Sequence, residues 1–179
     1  MSNKKPTWKE IEEKAGQLSK TELMELLQDL YLLLPENQDF FHARFLTGDL
    51  TLSGYKRTVR EAVNPELEAG EDIHLKRAEK AIDHYCRATD NIIGEAELRV
   101  YFVECGNDFT LSYGDIDGWF YDALLEMYER AVEIVQELPA KNQEVFKSRF
   151  KKLMKSSDGI GWGYHDGLCD VYCEAFPEG

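Results

Sequence analysis

Apolar residues recur at helical spacing along almost the whole chain, and no stretch shows the period-two alternation that a half-buried strand requires. The strongest pattern covers residues 117–138, where Phe120, Leu124, Met127, Ala131, Ile134 and Leu138 advance by alternating steps of four and three. Residues 72–89 place Leu75, Ala78, Ile82 and Tyr85 on one face, and 92–106 do the same with Ile93, Ala96, Val100 and Val103 before Gly106 ends the run. Thr7-Trp-Lys-Glu10 and Ser19-Lys-Thr-Glu22 are capping boxes, each able to satisfy unpaired amides at a helix start. The second opens a helix with Leu23, Leu27, Leu30 and Leu34 that ends at Pro35. A short helix follows through Phe40, Phe41, Phe45 and Leu46 until Gly48, and another covers 51–63 with Tyr55, Val59, Ala62 and Val63 inward. Pro139 suits the first position of a helix over 140–156 carrying Phe146, Phe150 and Leu153, and a last helix near 163–176 carries Leu168, Tyr172 and Phe176.

These patterns predict an all-α chain of about nine antiparallel helices, arranged as an irregular helical-hairpin stack or bundle, short and α-solenoid-like. No fixed-period repeat is present, so a regular tetratricopeptide or HEAT array is not expected. A length of 179 residues suits a single helical domain. Residues 64–72, with Pro65, Gly70 and four acidic side chains, read as a solvated acidic linker. They offer the one place to divide an N-terminal helical part, 1–64, from a main part, 72–179.

Charge excludes several function classes. The chain carries 21 basic and 34 acidic residues, a net charge of −13, unevenly spread. Residues 1–60 balance at nine against nine, 61–120 hold five against fourteen, and 121–179 hold seven against eleven. Such a field repels phosphate backbones and anionic lipid, and attracts a basic partner surface or a divalent cation. The expectation is no direct nucleic-acid binding. The longest apolar run, Leu30–Leu34, is far shorter than the ~20 residues a membrane helix needs, and no apolar stretch follows the N-terminal lysines as in a signal peptide. Cys86, Cys105, Cys169 and Cys173 form no Cys-x2-Cys pair, which fits reduced thiols in a cytoplasmic protein.

Two segments offer candidate chemistry. Ser156-Ser-Asp-Gly-Ile-Gly-Trp-Gly-Tyr-His-Asp166 alternates glycines with Ile160 and Trp162 before a His-Asp pair opens a helix. It reads either as a tight helix-to-helix corner locked by an aromatic ring, or as a ligand loop presenting backbone amides. His165, Cys169 and Cys173 fall at steps of four and form a weak candidate for a soft metal, although one helix does not by itself surround a tetrahedral ion. No downstream aspartate follows at the distance that a His-Asp metal phosphohydrolase order would need. The other segment, Asn107 to Gly118, contains Asp115-Ile-Asp117-Gly118. An EF-hand register would put Tyr113 and Leu124 at ligand positions one and twelve, where neither can coordinate, so calcium-loop geometry is excluded. Asp115 or Asp117 can cap the next helix, or both can face the His165 loop to make a cation or cationic-ligand site. Glu71 and His74 give one Glu-x-x-His step without the second that a di-iron bundle needs. No phosphate loop, Gly-x-Ser-x-Gly elbow or recognisable Cys-His nucleophile pair is present. No motif implies a cofactor.

The C-terminal hundred residues resemble an uncharacterised bacterial family of small all-helical proteins, a domain of unknown function. The resemblance rests on Val103-Glu-Cys-Gly-Asn-Asp-Phe-Thr110, Tyr113-Gly-Asp-Ile-Asp117, Met127-Tyr-Glu-Arg-Ala131 and Gly159-Ile-Gly-Trp-Gly-Tyr-His-Asp166. It implies a helical fold, and that the aspartate and glycine-tryptophan loops belong to one site or one packing corner; it brings no substrate.

The expected function is a cytoplasmic, non-enzymatic protein-protein interaction module whose acidic face meets a basic partner surface. One alternative is a small-molecule or metal-dependent enzyme using Asp115, Asp117, Trp162, His165 and Asp166, with a carboxylate or His165 as general base. Another is an acidic inhibitor that mimics nucleic acid, which needs regularly spaced surface carboxylates over 61–104.

Overall fold

The computed structural model describes residues 5–46 and 50–177. Among them lie nine α-helices and no strand: α1 (Trp8–Ala15), α2 (Lys20–Leu33), α3 (Pro35–Phe45), α4 (Leu50–Val63), α5 (Leu75–Ala88), α6 (Ile92–Tyr113), α7 (Gly118–Gln136), α8 (Ala140–Ser156) and α9 (Tyr164–Ala175). The expected stop at Gly48 lies outside the described residues. From α2 onward each helix packs on the next, and α3·α5, α4·α6, α6·α8 and α7·α9 pack as well. That pattern is the expected stack of helical hairpins.

The capping sequences act at the expected places, though not identically. At α2 the box is reciprocal: the Glu22 amide donates to Ser19 Oγ at 3.3 Å, and Glu22 Oε2 accepts from the Ser19 amide at 2.7 Å. At α1 Glu10 Oε2 accepts from both the Thr7 amide and the Thr7 hydroxyl, at 2.6 and 2.9 Å. The threonine hydroxyl thus donates to the same carboxylate oxygen that its own amide reaches. Pro35 occupies the first position of α3, where its missing N–H has no intrahelical acceptor.

α6 is the centre of the stack, touched by α4, α5, α7 and α8. It buries Leu98, Val100, Phe102, Val103, Cys105 and Phe109, which point in every direction around its axis. A helix surrounded on all sides is apolar all round. It also runs through Gly106, where the sequence pattern predicts an end. A Cβ on Gly106 would stand 2.3 Å from Leu124 Cδ2, so at this glycine the Leu124 side chain of α7 packs directly on the backbone of α6. The turn after α6 comes at Gly114, whose φ of +93° suits glycine.

One hydrophobic cluster extends from Ala43 on α3 to Phe176 and includes Tyr55 and Val59 of α4 with Ile82 and Tyr85 of α5. The acidic segment after α4 holds a short 3-10 turn, Leu67–Ala69, and the core continues across it. The break in packing comes earlier. α1 and α2 contain no buried residue, and α3 buries only Ala43.

No helix among the described residues is long and apolar enough to cross a membrane.

Candidate functional site

The two motif segments meet. The Trp162 indole N–H donates to Asp115 Oδ2 at 2.9 Å, and the Tyr121 hydroxyl donates to Asp115 Oδ1 at 2.8 Å. The Ile116 amide in turn donates to the Tyr121 oxygen at 3.2 Å. Both carboxylate oxygens of Asp115 are therefore occupied by groups that fix the loop before α7. The Trp162 ring lies against Gly118 at the start of α7, where a Cβ would come within 3.1 Å of it. Trp162 has a φ of +61°, the only positive value at a non-glycine among the described residues, and Gly159 and Gly163 flank it at +85° and +70°. Left-handed backbone in an aromatic residue is uncommon, and here it aims the indole back at Asp115. The ring remains 60% exposed, so this is a latch on the surface and not a closed chamber.

Asp117 is the residue before α7, and its side chain makes no hydrogen bond to that helix. Asp166 is exposed in the first turn of α9, where negative charge favours the positive end of the helix.

His165 belongs to a different contact set. Its Nδ1 lies 3.0 Å from Ser157 Oγ and its Nε2 lies 3.7 Å from Cys169 Sγ, while the Ser157 hydroxyl also reaches the Met154 carbonyl at 3.0 Å. These contacts tie the end of α8 to α9. His165, Cys169 and Cys173 line an open groove with Lys151, Met154 and Lys155. Burial, then the Cys173 thiol and the carboxylates of Asp166, Asp170 and Asp158, push the Cys169 thiol above its ordinary value, away from the thiolate a nucleophile or metal ligand requires. Positions 165 and 173 are eight residues apart on one helix, roughly 12 Å along its axis, too far for one ion. Among the described residues no three His, Cys, Asp or Glu side chains are grouped to hold a metal.

Two features have no counterpart in the motif reading. Arg149 on α8 forks onto Glu104 of α6, with Nε to Oε1 at 2.7 Å and Nη2 to Oε2 at 2.6 Å, and its remaining nitrogen bonds Glu97. Glu97 also takes Lys56 of α4 at 2.6 Å. Burial alone would lower the Arg149 pKa, but Glu104 and Glu97 outweigh it. This network joins α4, α6 and α8. With Glu61–Arg77 and Glu95–Arg99, four of the fourteen carboxylates in 61–120 are internally paired. The spacing of single charges on separate helices carries no signal for such a network.

The second feature is apolar surface. Trp8, Ile11, Leu26, Leu30 and Leu33 on α1 and α2 are 42–72% exposed, and Phe45 at the end of α3 is 72% exposed. The sequence pattern puts Leu27, Leu30, Leu34 and Phe45 on the apolar stripes of their helices, and these are 40–72% exposed as well, while Trp8, Ile11, Leu26 and Leu33 lie outside that pattern. A surface groove of about 660 Å³ beside α5 is lined by charges of both signs and by His74, His84 and Trp119, without convergent polar groups, and a larger one of about 780 Å³ is bordered by Arg44, Lys56, Asn91 and Glu97.

No protein-family model, curated protein or solved structure matches this chain.

Proposed function

We propose that the chain is a non-catalytic, cytoplasmic helical module that binds a protein partner through its N-terminal helices. The observation that carries this reading is the apolar surface of α1 and α2, with Phe45 at the end of α3, left outside the core formed by α3–α9. Contiguous apolar surface beyond ~300–600 Å² on a monomer marks an interaction site. The acidic charge without an ion pair among the described residues, including Glu66, Glu68, Glu71 and Asp72, favours a partner with a basic surface. The latch between Asp115 and Trp162, and the contacts of His165 with Ser157 and Cys169, give those residues structural work in the corners around α7 and α9.

The test is affinity capture of the tagged chain from its host's lysate at low and high salt, beside the Leu26→Gln/Leu30→Gln variant. The expected result is a stoichiometric protein retained by the wild type, weakened by salt and missing from the variant. An empty wild-type eluate, or the same proteins on the variant, would overturn the reading.

A further inference from the structure

The geometry points to the partner's chemistry: we propose that α2 receives an amphipathic helix with a leucine-like apolar stripe flanked by Lys or Arg. This inference rests on the interaction reading above. Leu23, Leu26, Leu30 and Leu33 follow the three-four-three spacing of a helix-packing seam. Leu26 is 43%, Leu30 42% and Leu33 67% exposed. α3 does not cover this seam. Tyr31 faces α3, with its ring 5.9 Å from Phe41 and its hydroxyl 3.0 Å from His42 Nε2. That direction lies on the order of 120° around the helix from the seam. α3 is the one substantial neighbour of α2, so no other element among the described residues covers the seam.

The area is of the right order. Each half-exposed leucine offers on the order of 80 Å² of apolar surface at 25 cal/mol per Å². Leu26, Leu30 and Leu33 on the seam and Leu27 and Leu34 beside it, with a smaller share from the partly covered Leu23, reach roughly 400–450 Å², about half of one side of a standard interface of ~800 Å².

Charge selects the occupant. Glu22, Glu25 and Asp29 form a row along one border of the seam, and Lys20 is the sole cation of α2. A second copy in antiparallel pairing would set this acidic row against its own equivalent and bring two chains of −13 together. A helix bearing Lys or Arg beside its apolar stripe meets the row with opposite charge, in the helix-in-groove mode.

The experiment uses two labelled synthetic peptides of about 18 residues, long enough to be helical alone, with one leucine stripe and either Lys or Glu flanks. Anisotropy titrations of the full chain are run at about 50 and 500 mM salt. The Lys-flanked peptide is expected to bind at least ~10-fold more tightly than the Glu-flanked one. Leu26→Gln/Leu30→Gln is expected to weaken it by ~10-fold or more, and Leu33→Ser in the same direction. Glu25→Gln/Asp29→Asn should bring the two peptides within ~3-fold of each other, while Glu126→Gln/Glu144→Gln, whose carboxylates are already paired on α7 and α8, leaves both unchanged. Circular dichroism confirms that each variant keeps its helices. Equal binding by wild type and seam variants would mean bulk charge attraction and overturn the inference. So would no binding of either peptide, or a wild-type chain that light scattering shows to be a dimer until Leu26 and Leu30 are changed. A seam-dependent lysate partner without preference for the Lys-flanked peptide would remove this partner chemistry and leave the interaction reading standing.

Discussion

Replacing Gly106 by alanine sets two effects of opposite sign against each other in the most buried helix. Alanine is favoured over glycine in a helix interior by about 1 kcal/mol. Its methyl, however, would stand 2.3 Å from Leu124 Cδ2, 2.8 Å from Cδ1 and 3.1 Å from Cγ. Carbon atoms prefer separations of about 3.5–4.0 Å, so the isobutyl group must retreat by roughly 1.2 Å or more. Leu124 is fully buried, and a close-packed interior offers no vacant space for that movement unless α6 and α7 part. Overpacking costs about 1–3 kcal/mol, and an approach as close as 2.3 Å belongs to the upper part of that range, about 2–3 kcal/mol. The clash therefore wins, with a net loss of about 1–2 kcal/mol. For a chain of this length that lowers Tm by roughly 3–7 °C. Urea and thermal unfolding followed by circular dichroism measure it. Leu124→Ala alone should cost about 2–5 kcal/mol. Because the new methyl enters the space it vacates, the double variant should lose less than the sum by about 1–2 kcal/mol. A Gly106→Ala protein as stable as the wild type, or an additive cycle, would refute the reasoning and mean that Leu124 can swing aside.

Three further outcomes are expected. Arg149→Met leaves Glu104 without its guanidinium between α6 and α8. It should destabilise the chain by about 2 kcal/mol, below the fully buried range because the partners are 19–29% exposed, and adding Glu104→Gln should restore part of that loss in urea unfolding. Trp162→Gly should be more stable than Trp162→Ala by about 1 kcal/mol, since both lose the bond to Asp115 but only alanine keeps the left-handed penalty; equal melting temperatures would remove the strain argument. The Glu22 carboxyl is held below its usual 4.5 by the Ser19 hydroxyl and backbone contacts, so its capping contribution is complete above that value and lost as pH falls through the lowered pKa. Carboxyl NMR should show Glu22 titrating below the exposed glutamates, and Ser19→Ala should bring it part of the way back, because the amide at position 19 still donates to the carboxylate.

Much of the fold was legible before any coordinates. The spacing of Phe120, Leu124, Met127 and Ala131 places one face of α7 in the core, and each of these residues is buried there. Tyr55, Val59, Ala62 and Val63 are likewise the buried face of α4. Helix starts follow from Ser19 and Pro35 because capping and proline geometry act within a few residues of the chain. The limits of that local reading show at Gly106. As a helix stop and as a close-packing position glycine is the same residue, and only the approach of α7 decides between them.

The candidate site divides in the same way. That Asp115 and Trp162 share one corner is foreshadowed by the motif resemblance, but the hydrogen bond between them depends on a positive φ at Trp162 that its sequence neighbourhood does not dictate. His165 is separated from that latch by its bonds to Ser157 and Cys169. The amino-acid sequence by itself determined where helices form and which stripe of each is apolar, because hydrogen bonding along a helix and its 3.6-residue turn are local properties. Tertiary structure alone decided which stripes are covered. The leucine stripe of α2 and the aliphatic face of α7 read alike, yet one is exposed and the other buried. Coverage requires a second surface brought near by the rest of the chain, and among the described residues α2 receives α3 on one side only.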